Sequence, residues 1–176
     1  QNGQDAMALE VLRTGSQAVP DEPAIHLTLG EAYLQRTTPT QALSCLRRAA
    51  SLTSSARIGL RLGQALYLLG HTEEACQELA QAYRLRIENT RVHESAEDLR
   101  IKDIRLNVPG EGDPPENLEP DLSHSYAKAL LVLGDLAKAI PLLEDVISQR
   151  PDDPFARMEL ARALGRSADQ QDNGAR

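Results

Sequence analysis

Four histidines, two cysteines and one serine–histidine–serine run are the side chains of this 176-residue chain best suited to covalent or metal chemistry. Ser123-His124-Ser125 supplies a hydroxyl on either side of an imidazole, the materials of a nucleophile and its base. On a helix, however, adjacent residues point to different sides, so the run does not by itself assemble a pair. His93-Glu94 with Glu97 could hold a cation, but the same three residues read equally as a solvated charged face. His26, His71 and His124 are scattered, and no His pair shares a helix face with a carboxylate at metal-ligand spacing. Cys45 and Cys76 form no CxxC and read as helix residues. The sequence holds no GxSxG, no P-loop and no GxGxxG after a strand; Gly110-Glu111-Gly112 belongs to a proline-rich run. The expectation is a protein that is not an enzyme, with no metal and no cofactor.

The elements that would carry these side chains are helical. Leu (27) and Ala (23) dominate, aromatic residues are 3% and Trp is absent. Leu and Ala favour helix, and β-branched and aromatic residues are too few for a strand-built core. A net charge of −7 gives no general attraction for a phosphate backbone, which argues against nucleic acid. No apolar run, Ala65–Leu69 and Ala129–Leu133 being among the longest, approaches the roughly 18 residues of a membrane span, so no membrane insertion is expected. No basic-then-apolar segment of the signal type is present in the sequence. The sequence does not fix the compartment; the cytoplasm is slightly favoured, with the periplasm as the alternative. The excess of Arg over Lys suggests a GC-rich, bacterial source.

The sequence repeats. His26-Leu-Thr-Leu29-Gly30-Glu-Ala-Tyr33, followed by Ala42 and Leu46, returns 33 residues later as Gly59-Leu-Arg-Leu62-Gly63-Gln-Ala-Leu66, followed by Ala75 and Leu79. A third copy runs Ser123-His-Ser-Tyr126-Ala127-Lys-Ala-Leu130, then Ala139, Leu143 and Pro151. A half copy follows at Arg157-Met-Glu-Leu160-Ala161-Arg-Ala-Leu164. Ahead of the first copy, Ala8, Leu12 and Pro20 match the back half of another.

This pattern resembles the tetratricopeptide repeat (TPR) family, whose unit of about 34 residues is a helix–turn–helix. The resemblance implies an all-α fold, a right-handed superhelical stack of TPR-like repeats of the α-solenoid type. Small residues at Gly30, Gly63, Ala127 and Ala161 would let the two helices of a repeat approach, facing Ala42, Ala75 and Ala139. Leu29, Leu62, Leu46, Leu79 and Leu143 would fill the seam. Gly70 and Gly134 fit the left-handed residue that closes a first helix. Pro20 and Pro151 fit the stops between repeats, while Pro141 falls inside a second helix and should bend it. The Trp slot of the family holds His26, Gly59, Ser123 and Arg157 instead.

The expected organisation is a back half-repeat at 1–22, repeats at 23–55, 56–89 and 120–153, a capping helix at 154–166 and a polar tail at 167–176. Residues 90–119 do not fit. Arg91–Leu106 has helical spacing, and Asn107–Asp121 has four prolines, two glycines and five acids with no base. Three readings are open: a decayed repeat whose first helix survives near 91–106, a docking loop or lid, and a small separate domain.

If the repeats stack as the family's do, the first helices line a concave face that takes a partner. Helical spacing points Ala24, Leu27, Glu31, Leu34 and Gln35 inward from the first copy, and Arg57, Leu60, Gln64, Tyr67 and Leu68 from the second. The third offers Asp121, His124, Lys128, Leu131 and Val132, and the last helix Phe155, Met158 and Arg162. The candidate site is drawn from these: Leu27, Glu31, Arg57, Leu60, Gln64, Tyr67, His124, Lys128, Leu131 and Met158. Apolar and polar groups in such a groove suit a partner peptide or amphipathic helix. Of the Lys and Asn residues of the family's chaperone-tail carboxylate clamp, only Lys128 has a counterpart. Thr28, Arg61, Ser125 and Glu159 stand where the related sugar-transferase superhelix carries its asparagine ladder. The leading function is therefore a non-catalytic protein–protein interaction scaffold or adaptor. The alternative is a regulatory or targeting module excised from a larger enzyme or a bacterial secretion or assembly protein.

Overall fold

The computed structural model describes residues 2–98 and 118–174, and every regular element among them is helical. The helices are α1 (Asn2–Ala18), α2 (Pro23–Gln35), α3 (Pro39–Leu52), α4 (Ala56–Leu68), α5 (Thr72–Asp98), α6 (Leu118–Leu133), α7 (Leu136–Gln149) and α8 (Pro154–Gly174). They pack in sequential pairs, α2 on α3, α4 on α5 and α6 on α7, and each pair stacks on the next.

The small and leucine slots of the repeat explain the pairing. A Cβ added at Gly30 would stand 2.6 Å from Leu46 Cγ, and one at Gly63 would stand 2.5 Å from Leu79 Cγ. The bare backbone lets those leucines reach the first helix, and Ala127 fills the equivalent slot in the third copy, fully buried. Ala42, Ala75 and Ala139 are likewise buried, as are Leu29, Leu46, Leu62, Leu79 and Leu143.

Helix ends follow the expected chemistry, with one exception. Pro23, Pro39 and Pro154 each occupy a first helical position, where a missing N–H costs nothing. Gly70 closes α4 at φ +82°, with Gly70 N–H donating to Tyr67 O at 3.1 Å and His71 N–H to Leu66 O at 3.0 Å. Gly134 closes α6 at the same φ with the same two bonds, to Leu131 O and Leu130 O. These are Schellman turns. The first copy makes the same turn without glycine: Thr37 takes φ +55°, and Thr37 and Thr38 N–H reach Leu34 O and Tyr33 O, each at 3.0 Å. α7 runs through Pro141, whose ring lies on the exposed side.

Three expectations change. Residues 91–98 continue α5 instead of opening a new helix. α6 then packs directly on α4 and α5, as α4 does on α2 and α3, so no further helix pair stands between the second and third copies among the described residues. The acidic proline-rich run lies, through residue 117, outside the described residues. Residues 167–174, expected as a polar tail, continue α8. Ala161, expected at a close helix approach, is exposed because α8 has no following helix to meet among the described residues; Ala156 and Ala163 are the alanines it buries.

Candidate partner-binding face

The first helices α2, α4, α6 and α8 are joined side to side by their polar residues. Glu31 on α2 accepts from Arg57 Nε (3.0 Å) and Nη2 (2.9 Å) and from Arg61 Nε (2.9 Å), both on α4. Arg61 Nη1 donates to Gln64 Oε1 at 3.1 Å, and Gln64 Nε2 donates to Ser125 Oγ on α6 at 3.1 Å. His124 Nε2 and Glu159 Oε2 lie 2.8 Å apart, a spacing at which the ring N–H donates from α6 to α8. Arg166 Nη1 on α8 donates to Leu131 O on α6 at 3.2 Å. Burial pushes the Glu31 carboxyl up, but the hydrogen bonds and charges of Arg57 and Arg61 outweigh it and hold the group below its ordinary value.

Between α2, α4 and α6 this face opens into a cleft of about 400 Å³ lined by Leu34, Gln35, Gln64, Tyr67, Leu68, Leu79, Ser125 and Lys128. Leu79 forms the floor and is itself core. The Lys128 ammonium sits 5.6 Å from the centroid of the Tyr67 ring, within cation–π range. Lys128 is the one charged side chain among the lining residues. Leu68 is 61% exposed at the rim, and Val132 repeats it one copy on at 58%.

Of the residues expected on this face, the structure brings Gln64, Tyr67 and Lys128 into the cleft, with Leu34, Gln35 and Leu68 from the wider inward set. Glu31 and Arg57 lie beside it, paired to each other. Leu60 is a correction: it is fully buried against Leu79, Ala82, Leu122 and Ala129, because α6 returns to cover α4 at that point. Leu27 and Leu131 are half-buried against core clusters. His124 is engaged by Glu159, and Met158 is exposed on α8 with Phe155, outside the cleft. Ser123, His124 and Ser125 turn to three different environments, so they assemble no nucleophile–base pair. Ser123 is buried with no hydrogen-bond partner for its Oγ among the described residues, and Ser125 meets Gln64.

The candidate site drawn from the sequence left out Arg61, Ser125 and Glu159, although they stand at the slot of the asparagine ladder, and it left out Leu79 as the floor. A signal was present for the first three. They share one slot of the repeat with Thr28, and that slot is polar in all four copies. Among the described residues, no cluster of three or more His, Cys, Asp or Glu side chains could hold a metal, and no helix is long and apolar enough to cross a membrane.

The paired helices, the glycine-lined approaches and the polar joints between first helices define a helical repeat protein. Family models of the tetratricopeptide repeat match residues 27–90 and 120–163, together more than half of the chain, and the protein belongs to that family. Among solved structures, MamA superposes with a TM-score of 0.68 at 18% identity, covering 95% of this chain and 81% of MamA. YrrB, described as a TPR protein with an unusual peptide-binding site, gives 0.67 at 16% identity, with 90% and 67% covered. TTC0263, a thermophilic TPR protein of Thermus thermophilus, gives 0.57 at 24% identity, with 92% and 74% covered. These likenesses establish the shared fold. A comparison with curated proteins found no match.

Proposed function

We propose that this chain is a non-catalytic interaction scaffold that receives a segment of a partner protein on the face formed by α2, α4, α6 and α8. Proteins of this family typically bind other proteins, and the reading here is carried by one observation. The face opens into a cleft of about 400 Å³ whose lining combines three leucines with two amides, the hydroxyls of Ser125 and Tyr67 and one ammonium. Exposed Leu68, Val132, Phe155 and Met158 extend its apolar character along the same helices. An apolar surface with a few convergent polar groups is what peptide recognition requires.

The test is site-specific photo-crosslinking in lysate of the source cells. A photoreactive residue is placed at 68, 132 or 158 on the first helices, or at Ser44 on α3 or Glu144 on α7, which are exposed on second helices. A partner crosslinked from the first-helix positions and not from the second supports the reading. Crosslinks confined to positions 44 and 144 overturn it.

A further inference from the structure

The cleft carries more information than its shape. Lys128 projects the only charge among its lining residues, and the ammonium has the Tyr67 ring, but no carboxylate, as its partner among the described residues. Ser125 stands one helical turn before Lys128. Its oxygen accepts from Gln64, which leaves its own O–H without an acceptor among the described residues. The two donors thus line the cleft one turn apart on α6, while Leu34 on α2 and Tyr67 and Leu68 on α4 line it from the neighbouring helices.

Any segment that seals this cleft takes Lys128 out of water. Burying an uncompensated ammonium is costly, so the occupant must bring an anion. One cation and one hydroxyl match a carboxylate; a phosphate dianion calls for the clustered arginines that are here already committed to Glu31. The exposed apolar residues continue past the cleft on the α6 and α8 side, at Val132, Phe155 and Met158. Leu34 on α2 and Leu68 on α4 continue the apolar surface on the other side of Lys128, so a chain that ended at Lys128 would leave one of the two groups uncovered.

We propose, building on the scaffold reading above, that the cleft binds an internal segment of a partner protein through a side-chain carboxylate next to a bulky apolar residue. Lys128 and Ser125 take the carboxylate, and Leu34, Tyr67 and Leu68 take its apolar neighbour.

The experiment is selection on the purified chain from two displayed libraries of random 12-residue peptides, one flanked at both ends and one with a free C-terminus. The expected result is enrichment from the flanked library of Asp or Glu adjacent to Leu, Ile, Met or Phe. Affinity of the selected peptides should fall about tenfold or more with Lys128→Gln, the loss of one charge-assisted bond. Ser125→Ala should weaken them less, and Lys128→Glu should shift selection towards Lys or Arg beside the apolar residue. Circular dichroism checks that each variant keeps its helices. Enrichment only from free C-termini overturns the internal-segment proposal. Peptides without acidic residues, lost with Leu68→Asp and unaffected by Lys128→Gln, overturn the carboxylate while leaving the scaffold reading standing. Peptides indifferent to every variant on this face, or no enrichment at all, overturn both.

Discussion

Glu31 on α2 and Arg57 on α4 meet through two hydrogen bonds of 3.0 and 2.9 Å, a fork that fixes the spacing of successive first helices. Arg61 binds the same carboxylate, so one acid holds two guanidiniums that would otherwise repel. Glu31→Gln keeps the shape and removes the charge, and should lower stability by about 1–2 kcal/mol. The sign with pH follows from the depressed Glu31 carboxyl. Its stabilisation is complete above the ordinary value of 4.5 and is lost as pH falls through the lower folded value. Thermal melts of the two proteins should differ most near neutrality and converge on acidification. A gap that widens in acid would show that the pair does not stabilise the stack through its charge.

Thr37 makes a turn that Gly70 and Gly134 make elsewhere, at φ +55° with a β-branched side chain. The left-handed region costs a non-glycine residue roughly 1–2 kcal/mol. Thr37→Gly should recover about 1 kcal/mol, part of the gain being offset by the freer unfolded chain. Denaturant unfolding measures it, and a destabilised Thr37→Gly would mean that the Thr37 hydroxyl, bonded to Arg36 O at 2.7 Å, matters more than the strain.

Ser123 is buried with its Oγ unpartnered among the described residues, on the helix that covers Leu60. An unmet buried hydroxyl costs about 1–3 kcal/mol. Ser123→Ala removes it with almost no change of volume, so the midpoint of urea unfolding should rise. A fall would show that the hydroxyl has a partner in solution.

Gly63 and Gly70 lie seven residues apart and should answer the same substitution for different reasons. Gly63→Ala drives a methyl against Leu79 inside a packed seam, where relief requires moving a core leucine; an overpacking cost of about 1–3 kcal/mol is expected. Gly70→Ala meets no atom within 4 Å, and its cost is only that of a side chain at φ +82°. Adding a compensating Leu79→Ala should therefore relieve the steric part at Gly63 and do nothing for Gly70. Equal responses of the two glycines to Leu79→Ala would refute the distinction.

The contrast between Gly63 and Arg61 shows what was legible in the sequence. Gly63 recurs as Gly30 and Ala127 because a close helix approach demands a small residue in every copy, and demands of that kind print a period. The Schellman glycines at 70 and 134 were legible for the same reason, and Thr37 was not because there the turn overrides local preference. Arg61, Gln64 and Ser125 join three helices through bonds whose partners lie up to 61 residues apart, and each copy solves the joint with different side chains. The period marks these positions as polar and inward, but it does not record which side chain of another copy each one meets. The extent of α5 to Asp98 was hidden because Arg91–Leu106 has helical spacing whether it continues one helix or begins another.

Leu60 is where the two levels separate most sharply. Its place in the repeat assigns it to the open face, yet in the stack it is buried among Leu79, Ala82, Leu122 and Ala129. The cause is the return of α6, which crosses α4 at Leu60 and leaves the groove to begin at Gln64. Leu60→Ala should therefore act as a core truncation and cost about 2–5 kcal/mol. Leu60→Glu, which inserts a carboxylate with no partner, should unfold the second and third repeats. A charge change at Lys128, half-exposed over Tyr67, should leave the melting transition nearly unmoved while altering what binds. The measurement is a thermal melt of Leu60→Ala beside Lys128→Gln, with partner-peptide affinity read on both at a temperature where each is folded. Leu60→Ala with an unchanged melt and lost binding would return Leu60 to the surface and overturn the packing of α6 on α4.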